Sequence, residues 1–482
     1  MVSGIDFFVV VAYYCLLIAL AIYGMHRFHL VRLLRRHGAA TDPAPPALQR
    51  WPDVTVQLPA FNEPHVVERL LDAAARLEYP GHLEIQLLDD STDETSELAE
   101  RKIAELRARG AVIHHLRRTD RSGFKAGALS AGLNQTGSEL LVVFDADFVP
   151  STDLLLRMIP WFADPGVGMV QARWEHLNRT DSALTRVQAI YLDAHFAIES
   201  AARHISGRFF NFNGTAGIWR RQAIIDAGGW SSSTVTEDLD LSYRAQLAGW
   251  KFVFLPAVTV PGEVPASLNG FQEQQYRWVK GSMQTARKLL PAILKSSLPW
   301  RVRTEAFFHL TNNTAYPMTL LLALLLVPSL LIRERMGLGW TLAVDVLLFA
   351  SSTVPVLLFY LAGQRRIGRK AGLREMLCVL PIGVGLSIRN SAAVLEGLLR
   401  RGGAFHRTPK QGDMRAAATL ARAPHLPVAE SLLAAFFMTS VIVLGAAGHL
   451  ASLPFLFLFL GGFAYVSVAG TLEIAVRKLR FF

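Results

Sequence analysis

The chain has 482 residues, 51% of them apolar, with a formal net charge of +10 and a mean hydropathy of +0.29. The apolar residues gather at the two ends, which excludes a single soluble globule, and no nucleic-acid-binding module accompanies the charge. Two cysteines, Cys15 and Cys378, both in apolar surroundings, exclude a disulfide framework and a thiolate zinc site.

In chain order, Ile5 to Tyr23 is nearly uncharged and long enough to span a bilayer, and the basic residues Arg27, Arg32, Arg35 and Arg36 follow at once. A cleaved signal peptide carries its charge before the apolar core, so this segment reads as an anchor whose C-terminal side is cytosolic. Ala39 to Pro46 reads as a short linker. Short β-rich runs then alternate with helical stretches. The strands are Val54–Leu58, Glu84–Leu88, Val112–Ile113 and Leu140–Phe144, and the helices Val66–Leu77, Thr95–Arg109 and Lys125–Leu133. This order predicts a mostly parallel sheet with helices on both faces, which binds ligands beyond the carboxyl ends of its strands. Asp89, Asp90, Asp145 and Asp147 fall at such ends.

Asp145 and Asp147 are two residues apart, so on a strand they point the same way and suit a hard divalent cation, Mg2+ or Mn2+, that neutralises phosphates. Turn chemistry alone also produces such triplets. Thr236-Glu237-Asp238 reads as a helix start with acidic residues at the positive end of the dipole. Gln274, Arg277 and Trp278 recur at i, i+3 and i+4, one face of a helix. There Trp278 offers a platform to a sugar ring and Arg277 a cation to a diphosphate.

Four further apolar segments follow: Leu310–Leu331, Leu342–Leu361, Leu432–Ala447 and Leu453–Val476. Parity puts Arg333 and Arg335 in a short external turn, against the charge rule. Arg365, Arg366, Arg369, Lys370 and the tail Arg477, Lys478 and Arg480 fall inside. Met376 to Leu399 is interrupted by Gly383, Gly385, Arg389, Asn390 and Glu396, which favours an interfacial or protein-buried helix. The count is five spans, or six if this segment crosses.

The ordered set Asp89-Asp90-Ser91, Lys125-Ala-Gly127, Asp145-Ala-Asp147, Thr236-Glu237-Asp238 and Gln274-x-x-Arg277-Trp278 resembles the family 2 inverting glycosyltransferases of the processive, membrane-integrated kind, the group of the cellulose, chitin and hyaluronan synthases. The resemblance runs from Val54 to Gln284. The stretches Gln86–Thr95, Val170–Trp174, Phe212–Arg220, Ala227–Trp230 and Glu237–Arg244 look most like the cellulose-synthase-like β-mannan and glucomannan synthases and related β-glucan synthases. Tyr276 and Val279 stand where the plant enzymes usually carry His and Ser.

The resemblance implies an α/β, GT-A-like cytosolic domain with a mixed sheet, inserted between transmembrane helices and accompanied by interfacial helices. It divides the chain into an anchor (1–26), the glycosyltransferase domain (51–268), amphipathic helices (269–300) and a channel-forming region (301–482) with an interfacial helix (375–400) and a gating-like loop (402–415). Asp238 is implied as general base, with Glu237 orienting the loop or the acceptor and Arg277 assisting departure of the diphosphate. Donor contacts fall to Asp89, Asp90, Lys125, Asp145, Asp147, Gln274 and Arg277, with Asp147 and Asp145 holding Mg2+ or Mn2+. Thr408 and Lys410, in Phe405-x-x-Thr408-Pro-Lys410, resemble part of the cellulose synthase gating loop. The acceptor side takes Trp278, Gly214, Thr215, Trp219 and Glu237.

The implied partners are GDP-mannose or UDP-glucose, a growing β-1,4-linked polysaccharide, membrane lipids and export or cell-envelope proteins, with no nucleic acid. A cyclic-dinucleotide-binding domain after the last span is not expected. The alternatives are a β-1,4-glucan synthase, transfer of one sugar to a membrane lipid, and a non-enzymatic export subunit.

Overall fold

The computed structural model describes residues 3–37, 45, 47–370, 372–400, 402–403 and 426–479, without side chains at 477–479. The linker at 39–46, apart from residue 45, lies outside these residues, as does most of the gating-like loop.

Seven strands form one sheet in the order β3-β2-β1-β4-β6-β5-β7. They are β1 (Val54–Ala60), β2 (Leu83–Asp89), β3 (Ile113–Arg117), β4 (Leu140–Val143), β5 (Val167–His176), β6 (Gly217–Arg220) and β7 (Lys251–Gly262). The first four pair in parallel, β6 runs antiparallel to both β4 and β5, and β7 is parallel to β5. The mixed sheet follows from that one reversed strand. Helices Val67–Ala75, Thr95–Ala108 and Phe124–Asn134 connect the parallel strands.

Successive side chains on a strand point to opposite faces. Leu140 and Val142 join one apolar layer with Val54, Val56 and Leu58. Leu141 and Val143 join the other, with Met169, Phe212 and Trp219. Because both faces are covered, β4 reads as an unbroken apolar run. Leu30, Val31, Leu33 and Leu34 belong to this second layer. They lie at the end of a single helix, Gly4–Arg36, which at 1.5 Å per residue is about 50 Å long, well beyond the thickness of a bilayer core. The surplus length docks on the α/β domain, so the anchor does not end at residue 26.

Among the described residues, five helices are long and apolar enough to cross a membrane: Gly4–Arg36, Trp300–Arg335, Gly339–Arg366, Val428–Ala446 and Leu450–Val476. A sixth crossing requires the pair Leu373–Gly385 and Ser387–Leu399, which is bent by 49°. The chain is therefore a multi-pass membrane protein with its α/β domain between spans. For Arg333 the exception to the charge rule has a local explanation. Arg333 is buried and forks onto Asp345 at 3.0 and 2.7 Å, with Tyr14 Oη and Thr341 Oγ1 completing its shell. A guanidinium neutralised by its own partner does not count as an exposed positive charge.

Candidate active site

A cavity of about 180 Å3 opens at the carboxyl ends of the parallel strands. Of the residues singled out in the sequence, Asp90, Lys125, Asp145, Asp147, Gly214, Glu237, Asp238, Gln274, Arg277 and Trp278 all line it. They come from six separate stretches of chain.

Strand β4 stops at Val143, so Asp145 and Asp147 lie in the turn beyond it, where the Phe148 N–H bonds the Asp145 carbonyl at 3.0 Å. The strand alternation expected for the pair does not apply; the turn itself delivers both carboxylates to the cavity. Lys125 Nζ donates to Asp145 Oδ1 at 2.5 Å and to the Gly214 carbonyl at 2.9 Å. Burial pulls this ammonium down, but Asp145, Glu237 and Asp238 outweigh burial and hold it up at about 12. Among the described residues no group of three or more His, Cys, Asp or Glu could hold a metal unaided. Two carboxylates of one turn fit a hard cation whose other oxygens come from a bound diphosphate.

Glu237 and Asp238 form the first turn of helix Glu237–Leu247, as their position at the dipole predicts. Burial pushes the Asp238 carboxyl up, and the neighbouring Glu237 adds to it, reaching about 7 against the pull of Lys125. Two glycines allow this crowding. Gly214 has φ +82°, and a Cβ there would stand 3.1 Å from Asp238 Oδ2. Gly281 lets helix Leu268–Lys295 settle on Thr236, where a Cβ would meet the Thr236 side chain at 2.4 Å. That helix presents Gln274, Arg277 and Trp278 to the cavity from one face. Burial lowers Arg277 to about 10, so it remains a cation at neutral pH.

Three of the expected contacts fall elsewhere. Asp89 lines neither cavity: it is buried beneath the sheet end, accepting from Ser91 N at 2.8 Å, Ser96 Oγ at 2.6 Å and His115 Nε2 at 2.9 Å. Burial pushes Asp89 up, but these donors outweigh it and hold the carboxyl at about 2. Trp219 is fully buried among Phe212, Trp230 and Phe252 and is a core residue. Thr215 is buried too, its Oγ1 accepting from the Asp145 N–H at 2.9 Å; it supports the turn from behind. Thr408 and Lys410 lie outside the described residues.

The structure also adds residues. Arg118 Nε donates to Asp90 Oδ1 at 2.8 Å, and the Arg121 guanidinium stacks on Phe61 at 3.3 Å from the ring centroid. Asn213, next to Gly214 in the Phe212–Arg220 stretch, also lines the cavity. Arg118 and Arg121 lie on a loop whose composition resembles any solvated basic turn, so no sequence signal marked them.

A second, larger cavity of about 490 Å3 shares Trp174, Asn213, Thr236, Asp238, Gln274 and Trp278 with the first. From there it runs between the membrane helices. Leu20, Thr319, Leu322, Ser352, Thr353 and Phe459 line it, from four of the five candidate spans, along with Val379 and Gly383 of the bent pair. Its wall mixes aromatic rings such as Tyr191, Phe271, Tyr316 and Tyr360 with Asn, Gln, Ser and Thr side chains. The aromatic faces and hydrogen-bonding groups can meet a sugar chain, while Leu20, Leu322, Val379 and Leu458 add aliphatic surface to the same wall.

Residues 52–281 match the family described as glycosyltransferase like family 2. Glucomannan 4-beta-mannosyltransferase 9 of Arabidopsis thaliana is 33% identical over 379 residues, covering 76% of this chain and 69% of the relative. The chain belongs to the family 2 glycosyltransferases. Glucomannan 4-beta-mannosyltransferase 2 of the same plant is 42% identical over 252 residues, 51% of this chain and 47% of the relative. The chain spans about half the length of the first curated relatives it matches, 53%, 43% and 47% of three of them. Among solved structures, the mannosyltransferase PcManGT from Pyrobaculum calidifontis, in complex with GDP-Man and Mn2+, aligns with a TM-score of 0.55 and 21% identity, covering 79% of this chain and 99% of that one. That likeness carries the fold of this family 2 chain, a GT-A-like α/β domain.

Proposed function

We propose that the protein is an inverting, processive hexosyltransferase. It extends a β-1,4-linked mannan or glucomannan at the non-reducing end, with GDP-mannose favoured over UDP-glucose, and passes the product into the membrane. The observation that carries this reading is the wall shared by the two cavities. Asp238, Trp278 and Gln274 border both the small polar site and the long aromatic cavity between the spans. A product made at Asp238 has its exit beside it. The preference for mannose rests on the names of the relatives, which are glucomannan 4-beta-mannosyltransferases.

In this account the donor's nucleoside lies toward Asp90 and its diphosphate toward Lys125 and Arg277. Asp147, with Asp145, would hold Mg2+ or Mn2+, which when bound neutralises phosphate charge. The acceptor hydroxyl attacks the anomeric carbon from the face opposite the diphosphate and gives its proton to the Asp238 carboxylate. The bond to the diphosphate oxygen breaks, and Arg277 and Lys125 offset the charge that gathers there. Stacked on Trp278, the acceptor ring stays in line for attack. The N-terminal anchor and its following basic residues orient this domain to the cytosolic face, where nucleotide sugars and anionic lipid headgroups are found.

The test is to supply purified protein with GDP-mannose or UDP-glucose and Mg2+ or Mn2+, then digest the product with linkage-specific hydrolases. A polymer cut by a β-1,4-mannanase is the expected result. A solvent-extractable lipid carrying one sugar as the sole product would overturn the processive reading.

A further inference from the structure

One partly buried imidazole beside the site has no part in the transfer step. His195 opens a single π turn, His195–Ser200, between helices Ala183–Ala194 and Ala201–Ile205. Single π turns inside α-helices are frequent at functional sites. His195 lines the larger cavity, and its Nε2 lies 2.9 Å from Asn213 Oδ1.

Asn213 sits on the wall common to both cavities, which Asp238 also lines, next to Gly214, whose backbone packs closely on Asp238. Its backbone N–H is tied to Gln171 Oε1 at 3.1 Å. The side-chain amide has two possible orientations, and its partners choose one. Oδ1 accepts from Asn211 Nδ2 at 3.0 Å, and Nδ2 donates to the Asn211 carbonyl at 3.3 Å. A reversed amide would set nitrogen against nitrogen and oxygen against oxygen. Nδ2 has a second hydrogen, and the Asn211 carbonyl is its one hydrogen-bond acceptor among the described residues.

The other ring nitrogen of His195 stands 3.1 Å from Glu199 Oε2. Glu199 is already paired with Arg27 and bonded by Arg203 Nη1 at 3.4 Å. Burial, then Arg203 and Arg27, hold the imidazole down at about 4 against the pull of Asn213, so at neutral pH the ring has one proton for two oxygen neighbours. With that proton on Nε2 the ring donates to Asn213 Oδ1, while the Arg27 and Arg203 guanidiniums partner Glu199.

We propose that His195 is a positioning residue for acceptor recognition, holding the Asn213 amide with its oxygen turned into the protein so that its nitrogen donates to a hydroxyl of the terminal acceptor sugar. This rests on the reading that a sugar chain occupies the shared wall. The chemistry selects a hydroxyl that presents a lone pair to Asn213, while the proton-accepting work stays with Asp238.

The experiment is a double-mutant cycle on the full-length protein in detergent. It measures by calorimetry the affinity for β-1,4-linked mannohexaose and cellohexaose, with GDP-mannose binding measured alongside. Asn213→Ala and His195→Phe should each weaken oligosaccharide binding about tenfold, the size of one lost hydrogen bond. His195→Gln, whose amide also donates, should recover most of the loss. His195→Phe added to Asn213→Ala should cost nothing further, since the first change acts through the second residue. Donor affinity should hold in all. Additive losses in the double variant, no recovery with Gln, or a parallel fall in donor affinity would mean that His195 only packs. If His195→Phe does not fold, His195→Asn, too short to span to Asn213, takes its place with the same expected and overturning results. A parental protein that binds neither oligosaccharide overturns the acceptor reading and this proposal together; parental binding that His195→Phe leaves intact overturns this proposal alone.

Discussion

Burial and the adjacent Glu237 lift the Asp238 carboxyl from the ordinary range to about 7, and the sign of that shift fixes a pH dependence. A general base works as the carboxylate, which forms only as pH rises through its pKa. The acid limb of kcat/KM, which reports the free enzyme, should therefore fall near neutrality and not near pH 4. Asp238→Asn keeps the side chain's size and removes the proton acceptor. Transfer should drop by about 100-fold or more while donor binding persists. A variant elongating at near the parental rate would move the base elsewhere. Asp147→Asn should behave differently. Replacing a charged ligand by an amide weakens the cation site, so calorimetry of GDP-mannose binding should show a Mn2+-dependent increment in the parent and none in the variant. An unchanged increment leaves Asp145 as the better ligand. The two carboxylates thus separate by readout, one on the chemical step and one on donor binding.

At the scale of elements, the buried fork between Arg333 and Asp345 makes a prediction about the membrane part. Asp345→Asn leaves a guanidinium buried and uncompensated, a loss of about 3–5 kcal/mol in a comparable buried pair, whereas replacing both partners by apolar residues of similar volume should be close to neutral. Thermal unfolding in detergent compares the two variants; equal losses would show that the pair contributes packing and not charge balance.

The same scale shows what the sequence made legible. Strand β4 was readable as an unbroken apolar run covered on both faces, and β1 and β2 as short runs in which Val, Ile and Leu alternate with Thr, Gln or Glu. Strands β5, β6 and β7 were not. Trp174, Gly217 and Trp219 fell inside stretches noticed for their motifs, and Pro256 and Pro261 within β7 argue locally against a strand. The cavity-lining residues in the turn after β4 and on helix Glu237–Leu247 were marked by their motifs, and only on helix Leu268–Lys295 did the spacing itself carry the geometry. Asp89 was misplaced because two adjacent aspartates at a strand end look alike in sequence. Only the sheet decides that Asp89 turns inward to His115 while Asp90 turns to Arg118 and the cavity. Trp219 was misplaced for a related reason, since a Trp beside a glycine-rich turn serves a core or a sugar equally well until its neighbours are known.

For the whole molecule, one arrangement unites the parts: a polar cavity in the α/β domain, a longer cavity among the spans, and a wall carrying Asp238 and Trp278 between them. An enzyme that only glycosylated a lipid would need a lateral opening for an acyl or prenyl chain; one that extends a polysaccharide needs a path lined by rings and hydrogen-bonding groups. The measurement that separates these is synthesis in sealed vesicles. Protein reconstituted with its α/β domain outward receives external GDP-mannose with Mn2+, and the product is then treated with β-mannanase before and after the vesicles are opened with detergent. The account predicts a long β-1,4-linked polymer, resistant to the enzyme while the vesicle is sealed and degraded once it is opened. Short chains that remain outside and are fully digested in sealed vesicles would contradict it.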